Sequence, residues 1–234
     1  MKFILLAAFL AMNTLAFAQA TGSGLGGLSG VQRRLETYKW SERPDEAELI
    51  DLQKMFINQE WMPGQVFFKS GRAPLQVPLI FDAYNNTLYY KQGSVIMEFV
   101  DTVSRFSLEV QLKTDTVLYY FVSQQPAFQS NTPETFYELL VNGDIKLLRC
   151  RARSIQQIKD KELPEERRAE RKELYFAATP DGKLVAIYPD VDILKLKMPA
   201  YGASISAIVK KEHIKLKTEP DLVELFVHLN NLTN

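Results

Sequence analysis

The sequence predicts an α+β protein in which a predominantly antiparallel β-meander is followed by C-terminal α-helices. Between residues 61 and 188, short runs rich in β-branched and aromatic residues alternate with turn-forming Asn, Asp, Gly and Pro. After Pro189, the spacing of apolar residues lengthens from two towards the roughly 3.6 of a helix. The 234 residues, 46% of them hydrophobic, are enough for one domain with a sizeable core. We expect about eight to ten strands that form a curved sheet or open barrel, with the helices packed on one face or end.

The first 18 residues predict a cleaved export signal. Lys2 supplies a positive start, residues 3–15 are almost wholly apolar, and residues 16–18 (Ala-Phe-Ala) form a small-x-small cleavage site. We expect cleavage after Ala18, which would leave Gln19 as the first residue. An N-terminal membrane anchor is the alternative, although the apolar run is short for a bilayer span. The signal predicts that the mature protein is exported to the periplasm or beyond the cell.

Three further parts of the chain are expected in order. Residues 19–60 form a flexible Gly-rich leader (ATGSGLGGLSG at residues 20–30) and a short helix over residues 45–56. The leader formally matches a dinucleotide-binding glycine pattern, but a cleaved signal precedes it where that motif needs a strand. The β-rich body is assigned to residues 61–188. The helical segment, residues 189–234, packs on the same single domain.

The clearest element is a β-hairpin over residues 77–91. Two runs of branched and aromatic residues flank a polar tip at residues 82–87, where Asn tolerates the positive φ of a tight turn. Leu79 and Phe81 should share one face and Ile80 should lie on the other, with both faces partly covered. Pro78 cannot donate to a ladder, so at that residue the strand should be an edge, a beginning or a bulge.

The rest of the body reads as further strands. They are predicted at residues 65–69, 94–100, 105–113, 117–122, 136–141, 145–153, 174–178 and 184–188. Asn142-Gly143 predicts a two-residue turn between the strands at residues 136–141 and 145–153. A helix over residues 134–141 is the alternative, because residues 132–134 (Thr-Pro-Glu) resemble a helix cap. We favour the strand, since the run that follows alternates, with Leu147 on one face and Cys150 on the other.

Residues 159–173 form a dense run of charge in which 12 of 15 residues are ionised, six of each sign. We interpret it as a solvated loop or an exposed helical excursion, and a docking surface is the alternative. Balanced signs do not suggest a polyanionic partner.

Two or three helices are predicted to close the chain. In the first of these helices, one apolar face comprises Tyr201, Ile205, Ile208 and Val209. Thr218 provides an N-cap for the last helix. The apolar face of that helix comprises Leu222, Leu225, Phe226, Leu229 and Leu232.

Charge and cysteine content exclude several kinds of partner. Without Lys2, the chain has 27 basic and 28 acidic residues, so there is no basic footprint for nucleic acid or an anionic membrane surface. The single cysteine, Cys150, cannot form an intramolecular disulfide. After the signal, no segment approaches 18 continuous apolar residues, so no transmembrane segment is expected.

We predict no catalytic, cofactor-binding or metal-binding residues, and we lean towards a protein that is not an enzyme. His213 and His228 are too far apart in sequence for a zinc motif, and no HExxH or CxxC occurs. Cys150 is interpreted as a small buried hydrophobe. Asp190 and Asp192 form a bare DxD pattern, yet both also suit the first turn of a helix.

Aromatic residues are frequent on the predicted strands. They are Tyr89, Tyr90, Tyr119, Tyr120, Phe121, Tyr137, Tyr175 and Phe176. We interpret them as core residues and cross-strand pairs. A stacking platform for sugar or single-stranded nucleic acid, or a lipid-holding concave sheet, would use the same residue types.

Several motifs carry a resemblance to a known group of proteins. They are residues 61–66 (WMPGQV), Gly71, residues 78–84 (PLIFDAY), residues 88–91 (LYYK), residues 136–140 (FYELL), Gly143 and residues 146–148 (KLL). Together with the charged helical tail, this pattern resembles exported proteins of Bacteroidota-type bacteria over roughly residues 60–230. The resemblance implies export to the envelope and a β-rich body, and it carries over no active-site residue. Residues 101–103 and 115–117 (Asp-Thr-Val in each) also resemble the O-glycosylation acceptor of such bacteria.

Three functions are compatible with these observations. The leading hypothesis is a non-enzymatic binding or structural module of the bacterial cell envelope, whose partner would be another envelope protein. The second is a periplasmic carrier of a hydrophobic ligand, such as a lipid, held by a curved sheet. The third is a secreted hydrolase, which rests on the compartment alone. An open apolar cavity on the concave side of the sheet would favour the carrier, and a filled one would favour the binding module.

Overall fold

The computed structural model describes residues 32–34, 57, 60–111, 115–158 and 166–233. Its strands are β1 (Gln32–Arg34), β2 (Met62–Phe68), β3 (Leu75–Asp82), β4 (Thr87–Gln92), β5 (Val95–Phe99), β6 (Val103–Gln111), β7 (Thr116–Val122), β8 (Tyr137–Val141), β9 (Lys146–Ile158), β10 (Glu166–Ala178) and β11 (Leu184–Ile187). They form one antiparallel sheet in the order β1-β5-β4-β3-β2-β6-β7-β8-β9-β10-β11, which is not closed. The predicted antiparallel, β-rich body is therefore confirmed.

Helices follow the last strand, as predicted. They are α1 (Val191–Lys197), α2 (Gly202–Lys211) and α3 (Glu219–Thr233), with a 3₁₀ turn at Pro199–Tyr201 between the first two. Within the described part of the chain, no helix is long and apolar enough to cross a membrane. The predicted signal, the Gly-rich leader and the short helix at residues 45–56 lie outside the described residues.

The predicted hairpin at residues 77–91 is formed by β3 and β4. Leu79 pairs with Tyr90, and the ladder runs on to the turn between the strands. Asp82 shapes that turn, because its Oδ1 accepts hydrogen bonds from the backbone N–H groups of Tyr84 (2.9 Å) and Asn85 (3.1 Å). Asn86 then takes the left-handed conformation, with φ at 55°.

Pro78 lies at a local edge, as its missing donor requires. It pairs with Pro63 of β2. The ladder with β4 begins only at Leu79, and that between β2 and β6 begins only at Gly64. On the side that faces β4 or β6, each proline therefore lies just before the first paired residue, where no backbone N–H donor is needed.

Alternation along the strands separates two faces of the sheet. The packed face carries a cluster of aromatic rings on β3, β6 and β7. Phe81 contacts Phe106 at 5.4 Å and Phe121 at 5.5 Å between ring centroids, and Phe136 closes the cluster at 5.7 Å from Phe81. Leu79 and Phe81 share this face and Ile80 lies on the other, and all three are buried, as expected.

The helices cover the packed face beside β8 to β11. Their buried residues are Leu194, Met198, Ile205, Ile208, Ile214, Leu216, Leu222, Leu225, Phe226 and Leu229. These residues pack against Leu147, Ala177 and Ile187 of the sheet. The predicted apolar face of α3 is wrong only at Leu232, which is 65% exposed. The buried cluster ends at Leu229, so Leu232 lies beyond it.

The charge run does not form the predicted loop or helix over residues 166–173, which belong to β10. Each of the 13 residues of β10 pairs with β9, from Glu166 opposite Ile158 to Ala178 opposite Lys146. Pairing with β9 gives the backbone of these residues hydrogen-bond partners. This gain outweighs the low strand propensity of the charged residues. Residues 159–165 lie outside the described part.

The strand prediction for residues 136–141 is confirmed by β8, but the predicted two-residue turn after it is wrong. Residues 142–145 separate β8 from β9. Gly143 does not have the positive φ of a tight turn, and its lack of a side chain instead leaves room for Asn230. A Cβ on Gly143 would lie 2.4 Å from Cγ of Asn230 on α3.

Candidate functional site

The second face of β2, β6 and β7, which we call the groove face, borders a groove of about 1010 Å³. The turn between β2 and β3 contributes Gly71 and Arg72 to one side of it. Leu139, Asn142 and Lys146, from the β8–β9 hairpin, contribute to its lining. The groove is therefore built largely from strands, which hold side chains in fixed positions.

Four side chains cross the floor of the groove in one row. The register places Gln76 opposite Gln65, Gln65 opposite Ser107, and Ser107 opposite Tyr120. We call these four residues the polar row. Three interstrand spacings of about 4.8 Å give the row a length of about 14 Å.

The members of the polar row differ in exposure. Tyr120 is 50% exposed, and Leu118, two residues earlier on β7, is 46% exposed. Ser107 is only 8% exposed, and no hydrogen bond joins its hydroxyl to another residue of the described chain. Because Ser107 lies on the floor of the groove, its hydroxyl is left to bond water or a ligand.

Charged groups flank the polar row on both sides. The guanidinium of Arg105 lies 4.2 Å from the ring centroid of Phe67. Glu109 lies two residues beyond Ser107 in the other direction along β6. Arg72 is paired with Asp101 at 3.0 Å between Nη1 and Oδ2, so it contributes little net charge.

The loop after β7 forms one rim of the groove and is held at both ends. At its start, the Ser123 hydroxyl donates to the carbonyl of Val103 at 2.8 Å. Gln124 has φ at 61°, and its N–H donates to the carbonyl of Pro133 at 2.5 Å. Backbone strain of this kind persists only where the surroundings impose it.

Asn86, at the tip of the β3–β4 hairpin, holds the end of the same loop. Its Oδ1 accepts from the N–H of Phe136 at 2.9 Å, and its Nδ2 donates to the carbonyl of Glu134 at 3.0 Å. The β3–β4 hairpin therefore anchors the end of the loop whose first residues line the groove.

A buried ion-pair network lies on the packed face, away from the groove. Glu138 accepts from Arg149 Nη2 at 2.6 Å and from Arg151 Nε at 2.5 Å. Arg149 Nη1 also reaches Glu219, the first residue of α3, at 2.5 Å. Burial lowers the pKa of Arg149, but the hydrogen bond and charge of Glu138 raise it, and the net direction is up. The network docks α3 on the sheet with each guanidinium already engaged.

The single cysteine lies in a buried cluster. Cys150 is buried beside Tyr137, and Asn131 donates from Nδ2 to the Tyr137 hydroxyl at 3.0 Å. Burial raises the pKa of the Cys150 thiol, which keeps it protonated. This agrees with its interpretation as a small buried hydrophobe.

The remaining sequence candidates are scattered over the helical segment. Asp190 is the N-cap of α1, where its Oδ1 accepts from the N–H groups of Asp192 and Ile193 at 2.9 Å. His213 follows α2 with φ at 57°, and His228 lies on α3. Among the described residues, no group of three or more His, Cys, Asp or Glu is placed to hold a metal ion.

Four of the eight aromatic residues predicted to lie in the core are buried: Tyr90, Phe121, Tyr137 and Phe176. Three are partly buried (Tyr89, Tyr119 and Tyr175), whereas Tyr120 is 50% exposed. The sequence alone does not identify the other members of the polar row as candidate site residues. Strand alternation could have placed each on the polar face of its strand, but only the register brings them into one row.

Comparison of the chain with protein-family models, with curated proteins and with solved structures finds no match.

Proposed function

We propose that this chain is an exported, non-enzymatic binding protein of the bacterial cell envelope, which holds its ligand in the groove over β2, β6 and β7. The observation that carries the proposal is the polar row of Gln76, Gln65, Ser107 and Tyr120. It combines an open aromatic side chain with a buried hydroxyl that has no partner in the described chain. A groove with a few convergent polar groups is typical of a binding site. The export part of the proposal rests on the N-terminal signal and on the resemblance to envelope proteins.

The packed face weighs against the carrier of a hydrophobic ligand. Phe81 reaches Phe121 across the two strands that separate β3 from β7, and Phe68 of β2 reaches Phe99 of β5 at 5.8 Å. Contacts across intervening strands need a curved sheet, and we infer that β2 to β7 curl around these rings. The concave side is then filled by side chains. A lipid would need the volume that these rings occupy.

The groove also offers little to a hydrolase. Glu109 is the one carboxylate among its described lining residues. Glycoside hydrolysis generally uses two carboxyl groups on either side of the bond that is cut. The buried, protonated Cys150 lies outside the lining, as do both histidines.

Retention of envelope material tests the binding proposal. Immobilised protein would be exposed to solubilised envelope of the source bacterium, and the bound material would be quantified. We expect retention that is lost in the double variant Gln65→Ala/Tyr120→Ala and kept in Tyr188→Ala. Tyr188 is the matched control, because it is also 50% exposed but lies outside the groove lining. Equal retention by both variants, or none by the wild type, contradicts the proposal.

Cell fractionation tests the export proposal independently. The intact mass of protein from the periplasmic fraction should correspond to a chain that begins at Gln19. A full-length chain recovered only from the cytoplasm would contradict export, whatever the result of the retention assay.

A further inference from the structure

We infer that the groove binds a neutral carbohydrate chain. This inference rests on the proposed binding function and specifies the chemical class of the ligand. It is carried by three features of the groove: the hydrogen-bonding type of the polar row, the charge around it and the apolar surface beside it.

The polar row is suited to a partner that both donates and accepts hydrogen bonds. The side-chain amides of Gln65 and Gln76 and the hydroxyls of Ser107 and Tyr120 can each do both. A sugar hydroxyl has the same dual capacity. An anion needs donors alone, and a metal cation needs acceptors alone. Either ligand would therefore leave about half of the hydrogen-bonding groups of this row unused.

Charge around the row favours a neutral ligand. Arg105 and Glu109 lie on opposite sides of Ser107 along β6, so their opposite charges add no net charge to the floor. Arg72 is neutralised by Asp101. Arg105 is held over the ring of Phe67, which leaves that ring face covered. Lys146, in the lining that the β8–β9 hairpin contributes, adds one positive charge, so the net charge of the groove is small.

An apolar strip runs beside the polar row. Tyr120 and Leu118 are on the same face of β7 and are both about half exposed. A pyranose ring has an apolar face of C–H groups and a polar edge of hydroxyls. Its apolar face can stack on Tyr120 while its hydroxyls reach Gln65 and Ser107. The row is about 14 Å long, which suits a chain of a few sugar rings better than one ring.

Fractionated envelope material tests the inference. The solubilised envelope would be separated into neutral polysaccharide, acidic polysaccharide, peptide and lipid fractions, and each would be offered to wild-type protein and to the variants. We expect retention of the neutral polysaccharide fraction. Tyr120→Ala should weaken it by at least about tenfold, as for the loss of one stacked ring, while Tyr120→Phe should restore most of it. Tyr188→Ala should bind like wild type.

Two treatments sharpen the result. Periodate, which cleaves vicinal diols, should abolish retention of the neutral fraction. Raising the salt concentration from about 0.05 M to 0.5 M should leave it unchanged, since a neutral ligand releases no counterions. Circular dichroism and thermal melts of each variant would check that it is folded. Gln65→Ala provides a second variant should Tyr120→Ala fail to fold.

Each other outcome overturns the inference in a distinguishable way. Groove-dependent retention of only the peptide or lipid fraction, or of the acidic fraction with a steep salt dependence, rejects the neutral carbohydrate but leaves the proposed binding function standing. Retention of no fraction, or retention that groove variants do not change, rejects both.

Discussion

The side-chain amide of Asn230 forms two hydrogen bonds with the backbone of Ile145. Its Oδ1 accepts from the N–H and its Nδ2 donates to the carbonyl, each at 2.9 Å. Both residues are buried and lie 85 positions apart. The amide thus takes the place of a neighbouring strand at the start of β9 and connects the last helix to the sheet.

Replacing Asn230 should destabilise the fold. Asn230→Ala leaves a buried N–H and a buried carbonyl without partners, which should cost about 2 to 4 kcal/mol in the free energy of unfolding. Urea denaturation would measure it. The exposed neighbour Asn231 provides the control, and Asn231→Ala should change stability by less than about 0.5 kcal/mol. Equal effects of the two substitutions would show that the Ile145 contacts contribute nothing.

Glu138 should be among the most sensitive charged residues. Glu138→Gln removes the negative charge between Arg149 and Arg151, which leaves Arg149 with Glu219 alone and Arg151 without this carboxylate, and should cost about 3 kcal/mol. Asp181→Asn removes one partner of the exposed Asp181–Lys183 pair and should cost less than about 1 kcal/mol. Chemical denaturation of the two variants would compare them, and a loss in Glu138→Gln no larger than that in Asp181→Asn would be inconsistent with a docking role for the buried network.

Two substitutions at Asn86 should separate its two roles. Asn86→Gly keeps a residue that accepts positive φ but loses both bonds to the loop, whereas Asn86→Ala also strains the backbone. We expect the Ala variant to be less stable than the Gly variant by about 1 kcal/mol. In both, the N–H of Phe136 should exchange faster with solvent, as measured by hydrogen exchange. Unchanged protection at Phe136 would mean that Asn86 does not hold the end of the loop that follows β7.

Stability should fall at alkaline pH. Burial raises the pKa of Tyr137 to about 12, and burial together with Glu219 raises that of Tyr175 to about 12. The pKa of an unfolded tyrosine is about 10, so these groups contribute stability that is complete below pH about 10 and lost as the pH rises towards 12. Urea midpoints measured between these limits should fall more steeply for wild type than for Tyr137→Phe/Tyr175→Phe. Identical slopes would contradict this origin of alkaline unfolding.

The strands of the body could be predicted because their signals are local. Alternation places Leu147 on one face and Cys150 on the other, and Pro78 requires an edge that the structure provides. Two local signals pointed the wrong way. Residues 166–173 have the composition of a loop, yet pairing with β9 makes them a strand. Gly143 suggested a tight turn, whereas it is small because Asn230, 87 positions away, lies against it.

The candidate site could not be predicted in the same way. Gln65, Ser107 and Tyr120 lie on three strands that are far apart in sequence, and only the order of β2, β6 and β7 makes them neighbours. Alternation shows that each residue is on a polar face, but it does not show which strands are adjacent. The sequence identifies Tyr120 as an aromatic strand residue, but only the structure shows the exposure that distinguishes it from Tyr90 and Phe121.

An NMR titration of the protein with the neutral polysaccharide fraction tests binding in the groove most directly. If the groove binds this fraction, the backbone amide signals of Gln65, Ser107 and Tyr120 shift together and saturably, and the signal of Tyr188 does not shift. Shifts confined to residues outside the groove, or no shift at a concentration at which the fraction is retained, would contradict the assignment of the groove as the binding site.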